Sequence, residues 1–534
     1  MASKKMIMRH LFAGGFASDF GPSADVVPNA GGDVVFPFLV DAENVFFELD
    51  GGVHKIGGTT KLNSSVVASG AEIMGLFDFW RMGTAGSGTQ QRVIHAGTII
   101  AKDDADGTFD TIGTGFTDNA VPSYTTFNDV LVISSDSTVD VPQSFDGTTM
   151  SALGGTPPNF SFTTAHKNRV WAAGVASTPS RLHYSALLNQ ADWVGATAGY
   201  IDIDPNDGDR ITGLVSHKND LFVFKGPYKG SIHRITGSAP TGSDAFARIP
   251  FISGLGAVGH NSIFRYRDDV GFMWSDATIH SLNATAAFGD FNEAALSRPI
   301  HKYLLEHCTF TQLRRCWAAS NVSRSIVCIT IPIDAGTFPN QILMIDHSHE
   351  NVRWALWPAY NANCIANVID ATENNRPKLY IGGRDGYVRR TDTEDRSIDA
   401  ATSFSARVKT PYTNYGSSFL EKTISGGALG IESMGNYDLT FNWQCDRAVQ
   451  QTATVSQGSG GNVLGGAAAT DFHLDDVTLG TLGGASYLDR FVEEMAGSYK
   501  SIQFEIIQNG LNQDMALHSI STANEVGSLS MENN

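Results

Sequence analysis

The residues best suited to chemistry in this chain are carboxylates and imidazoles set at short intervals. Asp202-Ile-Asp204-Pro-Asn206-Asp207-Gly208-Asp209 begins like a calcium loop, in which a hard ion collects carboxylate and carbonyl oxygens. The match fails: Gly arrives one position late, and Gly213 stands where the closing Glu belongs. Asp104-Ala-Asp106-Gly107 with Asp110 is a shorter version of the same pattern. Both read as solvated turns. His347 and His349, flanked by Asp346 and Glu350, have the alternate-residue spacing by which a strand presents two imidazoles to a transition metal. His-x-His on a turn is more often solvated. His166, His217, His233 and His280 recur near the ends of apolar runs, where packing and hydrogen bonding are the expected roles.

The motifs that organise catalysis are missing. There is no G-x-S-x-G elbow, P-loop, dinucleotide fingerprint or H-E-x-x-H helix. No pair of acids is singled out by spacing as the carboxylates of a glycosidase, and the S-x-D-x-G-x-x-W boxes of sialidase propellers do not occur. The sequence therefore nominates no catalytic, cofactor-binding or metal-binding residue and reads as non-enzymatic. The five cysteines, Cys308, Cys316, Cys328, Cys364 and Cys445, lack the close spacing of a metal knuckle or redox motif, so buried free thiols in a reducing compartment are expected.

The elements around these residues are short strands. In 534 residues, 42% are hydrophobic, 10% are aromatic and 55 are glycine, a composition that suits a folded chain with many tight turns. The net charge of −18 argues against a basic groove that grips nucleic acid. It is compatible with a conduit that repels phosphate. Lys4, Lys5 and Arg9 precede Leu11-Phe12-Ala13, but the apolar stretch fails at Gly14-Gly15, so no secretory signal is expected. No apolar run reaches the length of a membrane span. The Asn-x-Ser/Thr triplets at Asn63, Asn159, Asn283 and Asn321 are taken as chance.

Between residues 36 and 395 a unit recurs: a polar turn, a short apolar run, another turn and a second strand. Its clearest copies are Phe127–Ile133, His166–Ala172, His217–Phe224 and Tyr266–Phe272. Anchors at Arg92, Asn128, Asn168, Asn219, Asp268, Arg324 and Pro377 are spaced by 36, 40, 51, 49, 56 and 53 residues, the size of a four-stranded propeller blade. The fold class expected is all-β: a β-propeller of six to eight blades, seven by the count of anchors, plus a C-terminal β-sandwich-like domain. The continuous apolar runs Val130–Ile133 and Leu221–Phe224 are expected to be the inner strands. A short helical insertion is expected near 291–316, from Phe291–Leu296 and His301–His307 separated by Pro299.

The domains expected are an N-terminal arm over 1–35, the propeller over 36–395, and the sandwich or platform domain over 396–534. In the last, Leu439, Phe441, Trp443 and Cys445 alternate with polar residues, as do Ile502, Phe504 and Ile506, which predicts half-buried antiparallel strands. Ser456–Gly461 and Gly465–Ala469 form a small-residue loop.

Two groups of residues resemble a known family. Asp41-Ala-Glu-Asn-Val45, Asp50-Gly-Gly-Val53 and Lys55-Ile-Gly-Gly58 resemble the opening segment, and His166–Trp171, Ser180–Ser185, Ala191–Trp193, Asp207–Gly213, Asp220–Lys225 and Ile232–Gly237 the mid-propeller signature, of tail nozzle proteins, the tail tube-terminal β-propeller proteins of short-tailed, podovirus-type bacteriophages. The resemblance implies a structural virion protein made in the host cytoplasm and assembled into the tail. It implies a homo-hexameric ring at the end of the DNA channel, below the portal and a tail adaptor protein, with double-stranded DNA passing through the lumen without specific binding. Docking surfaces for tail fibres or receptor-binding proteins are implied too, and no catalytic residues or cofactors. The N-terminal arm or the C-terminal unit is the expected adaptor contact. The rival reading is a carbohydrate-binding or carbohydrate-cleaving propeller that uses exposed Trp and Tyr as sugar platforms.

Overall fold

The computed structural model describes residues 4–12, 14–21, 23, 27–28, 34–49, 51–82, 88–136, 138–288, 295–321, 324–349, 351–415, 419–432, 437–457, 487–492 and 495–526. The chain forms two compact units: one of residues 60–344 and 360–391, the other of 1–59, 345–359 and 392–534.

The first unit is a seven-bladed β-propeller. Its blades begin with the strands Ile73–Arg81, Pro122–Phe127, Phe162–His166, Arg210–His217, Ile263–Tyr266, Ala318–Asn321 and Cys364–Asp370, each paired antiparallel with the strand that follows it. Blades 1 to 4 are four-stranded meanders. Every sequence anchor falls between the first and second strands of a blade or on the second strand. The reason is turn chemistry. Asn128 and Asp129 (φ 52° and 60°) and Lys167 and Asn168 (φ 46° and 57°) all adopt positive φ, as a two-residue hairpin matched to strand twist demands, and Asn and Asp tolerate it best.

The apolar runs Val130–Ile133 and Leu221–Phe224 belong to the second strands of blades 2 and 4, not to the innermost ones. The second strand has a hydrogen-bonded neighbour on each edge and is covered on both faces. Arg169–Ala173, its counterpart in blade 3, is buried throughout. The innermost strands instead present one edge and part of their side chains to the propeller axis, so they carry Asp78, Thr125, Thr163 and Ser216.

Helix replaces strand around blade 5. Its three strands run directly into the helix Leu282–Phe288, which the sequence reading did not anticipate. The expected insertion is present as the 3₁₀ turn Arg298–Ile300 with Pro299 inside it, the helix His301–His307 and the 3₁₀ turn Phe310–Arg315. Of the other expected helix, residues 291–294 lie outside the described residues, and Ala295 forms a β-bridge to His280. Among the described residues no helix is long and apolar enough to cross a membrane.

Most described strands of the second unit lie in two sheets. In one, Lys4–Leu11 runs between Val34–Val35 and Ala516–Val526, followed by Lys422–Glu432 and Tyr487–Val492; Val53–Lys55 also joins Ala516–Val526. The other is ordered Arg353–Trp357, Asp41–Glu43, Ala406–Lys409, Ile502–Gln508, Asp438–Cys445 and Gln451–Ser456. The compact units therefore divide differently from the expected 1–35, 36–395 and 396–534. The expected arm contributes a full strand, in register from Lys4 opposite Val526 to Leu11 opposite Ser519, and residues 36–59 belong with the C-terminal strands. Ile502–Gln508 is also not half-buried: it is an interior strand of its sheet, and Gln503 and Glu505 are enclosed with its apolar residues. Gln503 Nε2 donates to Thr410 O (2.8 Å), and Asn442 Nδ2 donates to Glu505 Oε2 (2.9 Å). Residues 458–486, which hold most of the small-residue loop, lie outside the described residues.

Closure of the propeller rests on Asn63. Leu62 N–H donates to Val388 O (2.8 Å), so the segment entering the propeller lines the last blade. The buried Asn63 amide then donates to Gly386 O (3.0 Å) and accepts from Val388 N–H (2.8 Å). Asn63→Ala leaves these buried partners unsatisfied and is expected to cost about 2–3 kcal/mol. Urea denaturation of the variant against the parent measures this.

Candidate functional site

The seven first strands surround a channel of about 810 Å³ that every blade lines. Its polar groups are bonded to one another across blade boundaries. Thr163 Oγ1 donates to Thr125 Oγ1 (2.8 Å), His166 Nδ1 lies 2.8 Å from Ser216 Oγ, and Ser320 Oγ donates to Arg265 O (2.5 Å). Asn367 Nδ2 donates to Ser320 O, joining blades 6 and 7. Asp78 accepts from Gln90 Nε2 (2.8 Å), Trp80 Nε1 (3.0 Å) and Ile369 N–H (2.9 Å). Burial nevertheless raises its carboxyl above the ordinary range, against the pull of these donors.

Where the first strands begin, the channel is bridged. Asn261 Nδ2 reaches from blade 5 to Pro122 O in blade 2 (2.9 Å), Arg315 Nη1 donates to Asn119 O (3.0 Å), and Arg314 forms an ion pair with Asp136. Beside this bridge is a cavity of about 430 Å³ with Asp136, Arg210, His260 and Arg314 on its wall. Burial raises the Asp136 carboxyl, opposed by Arg314, Arg210 and Arg315. Guanidiniums outnumber carboxylates on this wall, so the cavity suits an anionic group, in contrast to the net negative charge of the chain. His260 stacks on Phe162 (5.2 Å) and its Nδ1 accepts from Leu214 N–H (3.3 Å). Burial lowers its pKa to about 4. The ring is neutral, as that acceptor role requires.

The calcium-like loop already has its cation. Lys225, fully buried in the second strand of blade 4, places Nζ at 2.8 Å from Ile203 O, 2.8 Å from Asp204 O and 2.7 Å from Asp207 Oδ2. Two carbonyls and a carboxylate thus hold an ammonium where the pattern suggested an ion. The other acids of the loop are also engaged. Asp209 accepts from the N–H groups of Tyr228, Lys229 and Gly230 (2.9, 2.9 and 2.7 Å), and Asp202 forms a bidentate pair with Arg181 (2.8 and 3.2 Å). The turn is exposed at Asp202, Pro205, Asn206 and Gly208, and its acids also serve as clamps. In the shorter loop the organising acid is Asp103, which the pattern passed over. It is buried, pairs with Arg92 Nε (2.7 Å) and accepts from the N–H groups of Asp106 and Gly107 (both 2.9 Å).

The other histidines, acids and cysteines weighed in the sequence are dispersed. His233 Nε2 lies 3.0 Å from Ser231 Oγ, and His280 Nε2 lies 2.7 Å from Thr278 Oγ1 with its ring stacked on Phe272. Asp346 is committed to Arg353 (2.9 Å), and Glu350 lies outside the described residues. Cys308, Cys316, Cys328 and Cys364 are buried. Burial pushes the Cys308 and Cys364 thiols up to about 12, which leaves them without nucleophilic thiolate near neutral pH. Of the eight tryptophans, Trp171, Trp193, Trp274, Trp317, Trp354, Trp357 and Trp443 are buried, and Trp80 is exposed. The tryptophans are thus mainly packing residues.

Two outcomes follow from this geometry. Lys225→Met strands Asp207 and two carbonyls and is expected to destabilise the propeller by roughly 2–4 kcal/mol, at the lower side of a broken buried pair because Asp207 keeps some solvent; thermal unfolding with a circular-dichroism readout checks it. His260 has a folded pKa below its unfolded value, so its stabilisation is full above about pH 6.5 and is lost as pH falls toward 4. His260→Gln is therefore expected to flatten the stability-versus-pH curve between those values by up to about 1.4 kcal/mol per pH unit, measured by urea titrations at several pH values.

The chain matches no known family model and no curated protein sequence. Among solved structures it is similar to "YCF48 bound to D1 peptide", with a TM-score of 0.37 and 9% identity over 62% of this chain and 94% of that one. It is likewise similar to YCF48 from Cyanidioschyzon merolae, with a TM-score of 0.36 and 9% identity over 62% of this chain and 98% of that one.

Proposed function

We propose that the protein is a structural component of a short-tailed bacteriophage tail: a nozzle subunit that forms a hexameric ring at the end of the DNA channel, below the portal and adaptor. The observation that carries this reading is the use made of the sequence blocks that resemble that family. Asp207–Gly213 and Asp220–Lys225 supply the Lys225 clamp and the Asp209 cap. In His166–Trp171, Arg169 Nη1 donates to Ser185 O (2.8 Å) and Trp171 Nε1 to His166 O (3.1 Å). Each block holds backbone in place within or between blades. That is the work of a scaffold.

The channel inside one propeller has the volume of a small-molecule cavity and is crossed by Asn261. In this reading DNA passes between subunits, through a lumen that a closed ring of head-to-tail contacts creates, and the acidic balance of the chain keeps phosphate from sticking. Leu187, Leu188 and Val194 are exposed on the loop after the third strand of blade 3, and Asn128 Nδ2 holds this loop at Leu188 O (3.0 Å). They offer an apolar surface to a neighbouring subunit or a fibre.

Light scattering and negative-stain imaging of the purified chain, alone and mixed with tail-stripped virions, test the proposal. A hexameric ring, or recruitment to the portal vertex, is the expected result. A persistent monomer that ignores such particles and binds or cleaves a glycan would replace it with the carbohydrate reading.

A further inference from the structure

Three residues far apart in the chain converge in the second unit. His54 lies on Val53–Lys55, Glu432 ends Lys422–Glu432, and His518 lies on Ala516–Val526. One ligand atom from each, a ring nitrogen from either histidine and a carboxylate oxygen from the glutamate, lies within 4.8 Å of the other two. His518 Nε2 is 3.9 Å from Glu432 Oε2, and the His54 and His518 rings meet edge to face with centroids 6.0 Å apart.

Sheet register explains the convergence. Ala516 pairs with His54, and Leu517 pairs with Ile431 on the opposite side, so His54 and Glu432 flank the small Ala516. Between Gly430 opposite Ser519 and Ile431 opposite Leu517 the register shifts, leaving His518 as the extra residue of a β-bulge. Bulges re-aim a side chain and recur beside functional sites. Here the mostly buried imidazole of the bulge residue approaches both Glu432 and His54.

We propose that His54, Glu432 and His518 form a binding site for a divalent transition metal, with zinc the best fit. Two imidazoles and one carboxylate are a recurrent three-ligand zinc set that leaves a fourth position for water or a further ligand. Bond lengths of about 2.0–2.2 Å to such an ion place tetrahedral ligand atoms roughly 3.4 Å apart, so from separations of at most 4.8 Å the side chains need close by about 1.4 Å at most. The ion would join a strand from the beginning of the chain to two from its C-terminal part, a cross-link within the sheet.

The experiment uses the untagged full chain, dialysed against EDTA and titrated with Zn²⁺ in competition with a chromophoric chelator, and with Co²⁺ followed by visible absorption. One tight equivalent of Zn²⁺ per chain, a cobalt d–d band indicating four-coordination, and a rise in thermal midpoint with zinc are expected. His518→Ala and Glu432→Gln should each weaken that equivalent by 100-fold or more and remove the band. His54→Ala, at a more exposed position, serves the same test if the His518 variant does not fold. Absence of a tight equivalent, or its survival in the His54→Ala and Glu432→Gln variants, would overturn the site.

Discussion

A propeller blade has no stable existence as an isolated sheet, because each of its faces is apolar and each needs a neighbouring blade. The constraint on which this structure depends is therefore the closing of the ring, where blade 7 must meet blade 1. The chain meets it with backbone pairing of Leu62 to Val388 and with the two-way amide of Asn63. Asn363, at the start of blade 7, adds a bond from its Nδ2 to Ile73 O of blade 1 (2.9 Å). Once the ring is closed, the second strands are covered on both faces. Clusters such as Trp171, Leu182, Leu214, Leu221 and Val223, which bridge blades 3 and 4, then supply the burial that offsets chain entropy.

Closure also fixes what the axis can contain. Seven strands converging on one line leave little room, and their inward polar groups must find partners there. Hydroxyls and amides pass hydrogen bonds from blade to blade, and longer side chains close one end. Three of the buried cations follow the same rule. Lys225, Arg92 and Arg353 are each matched to a carboxylate and, for Lys225, to carbonyl oxygens as well, since an unmatched buried charge would be far costlier than the pair. The polar groups along the propeller axis are thus largely bonded to one another.

The second unit solves a different problem. Its sheets are assembled from the beginning of the chain, a short segment between blades 6 and 7, and the C-terminal part. Neither the first 59 residues nor the last stretch has a complete sheet of its own, and pairing between them completes both. The same weaving brings His54, Glu432 and His518 to one spot.

Local physics made much of this legible before any tertiary arrangement was known. Positive-φ hairpin turns favour Asn, Asp or Gly, and such turns mark blades 2 and 3 at Asn128, Asp129 and Asn168. Apolar runs mark the second strands but not their rank from the axis, because burial on both faces is common to every interior strand. Pro299 lies within the 3₁₀ turn that leads directly into His301–His307 rather than between two helices. What local pattern could not convey were contacts made across hundreds of residues. Lys4–Leu11 is too interrupted downstream to look like a sheet strand until Ala516–Val526 lies beside it. The ion-like geometry around Asp207 needs Lys225, from the second strand of blade 4, to be understood. The convergence over Ala516 depends on a one-residue register shift. The sequence by itself thus determined the blade repeat, the turns and the strand-rich character, which depend on neighbours in the chain. Closure of the ring, partition into units, the partners of buried charges and the histidine–glutamate cluster were decided only by tertiary structure, because each depends on which distant strands share an edge and in what register.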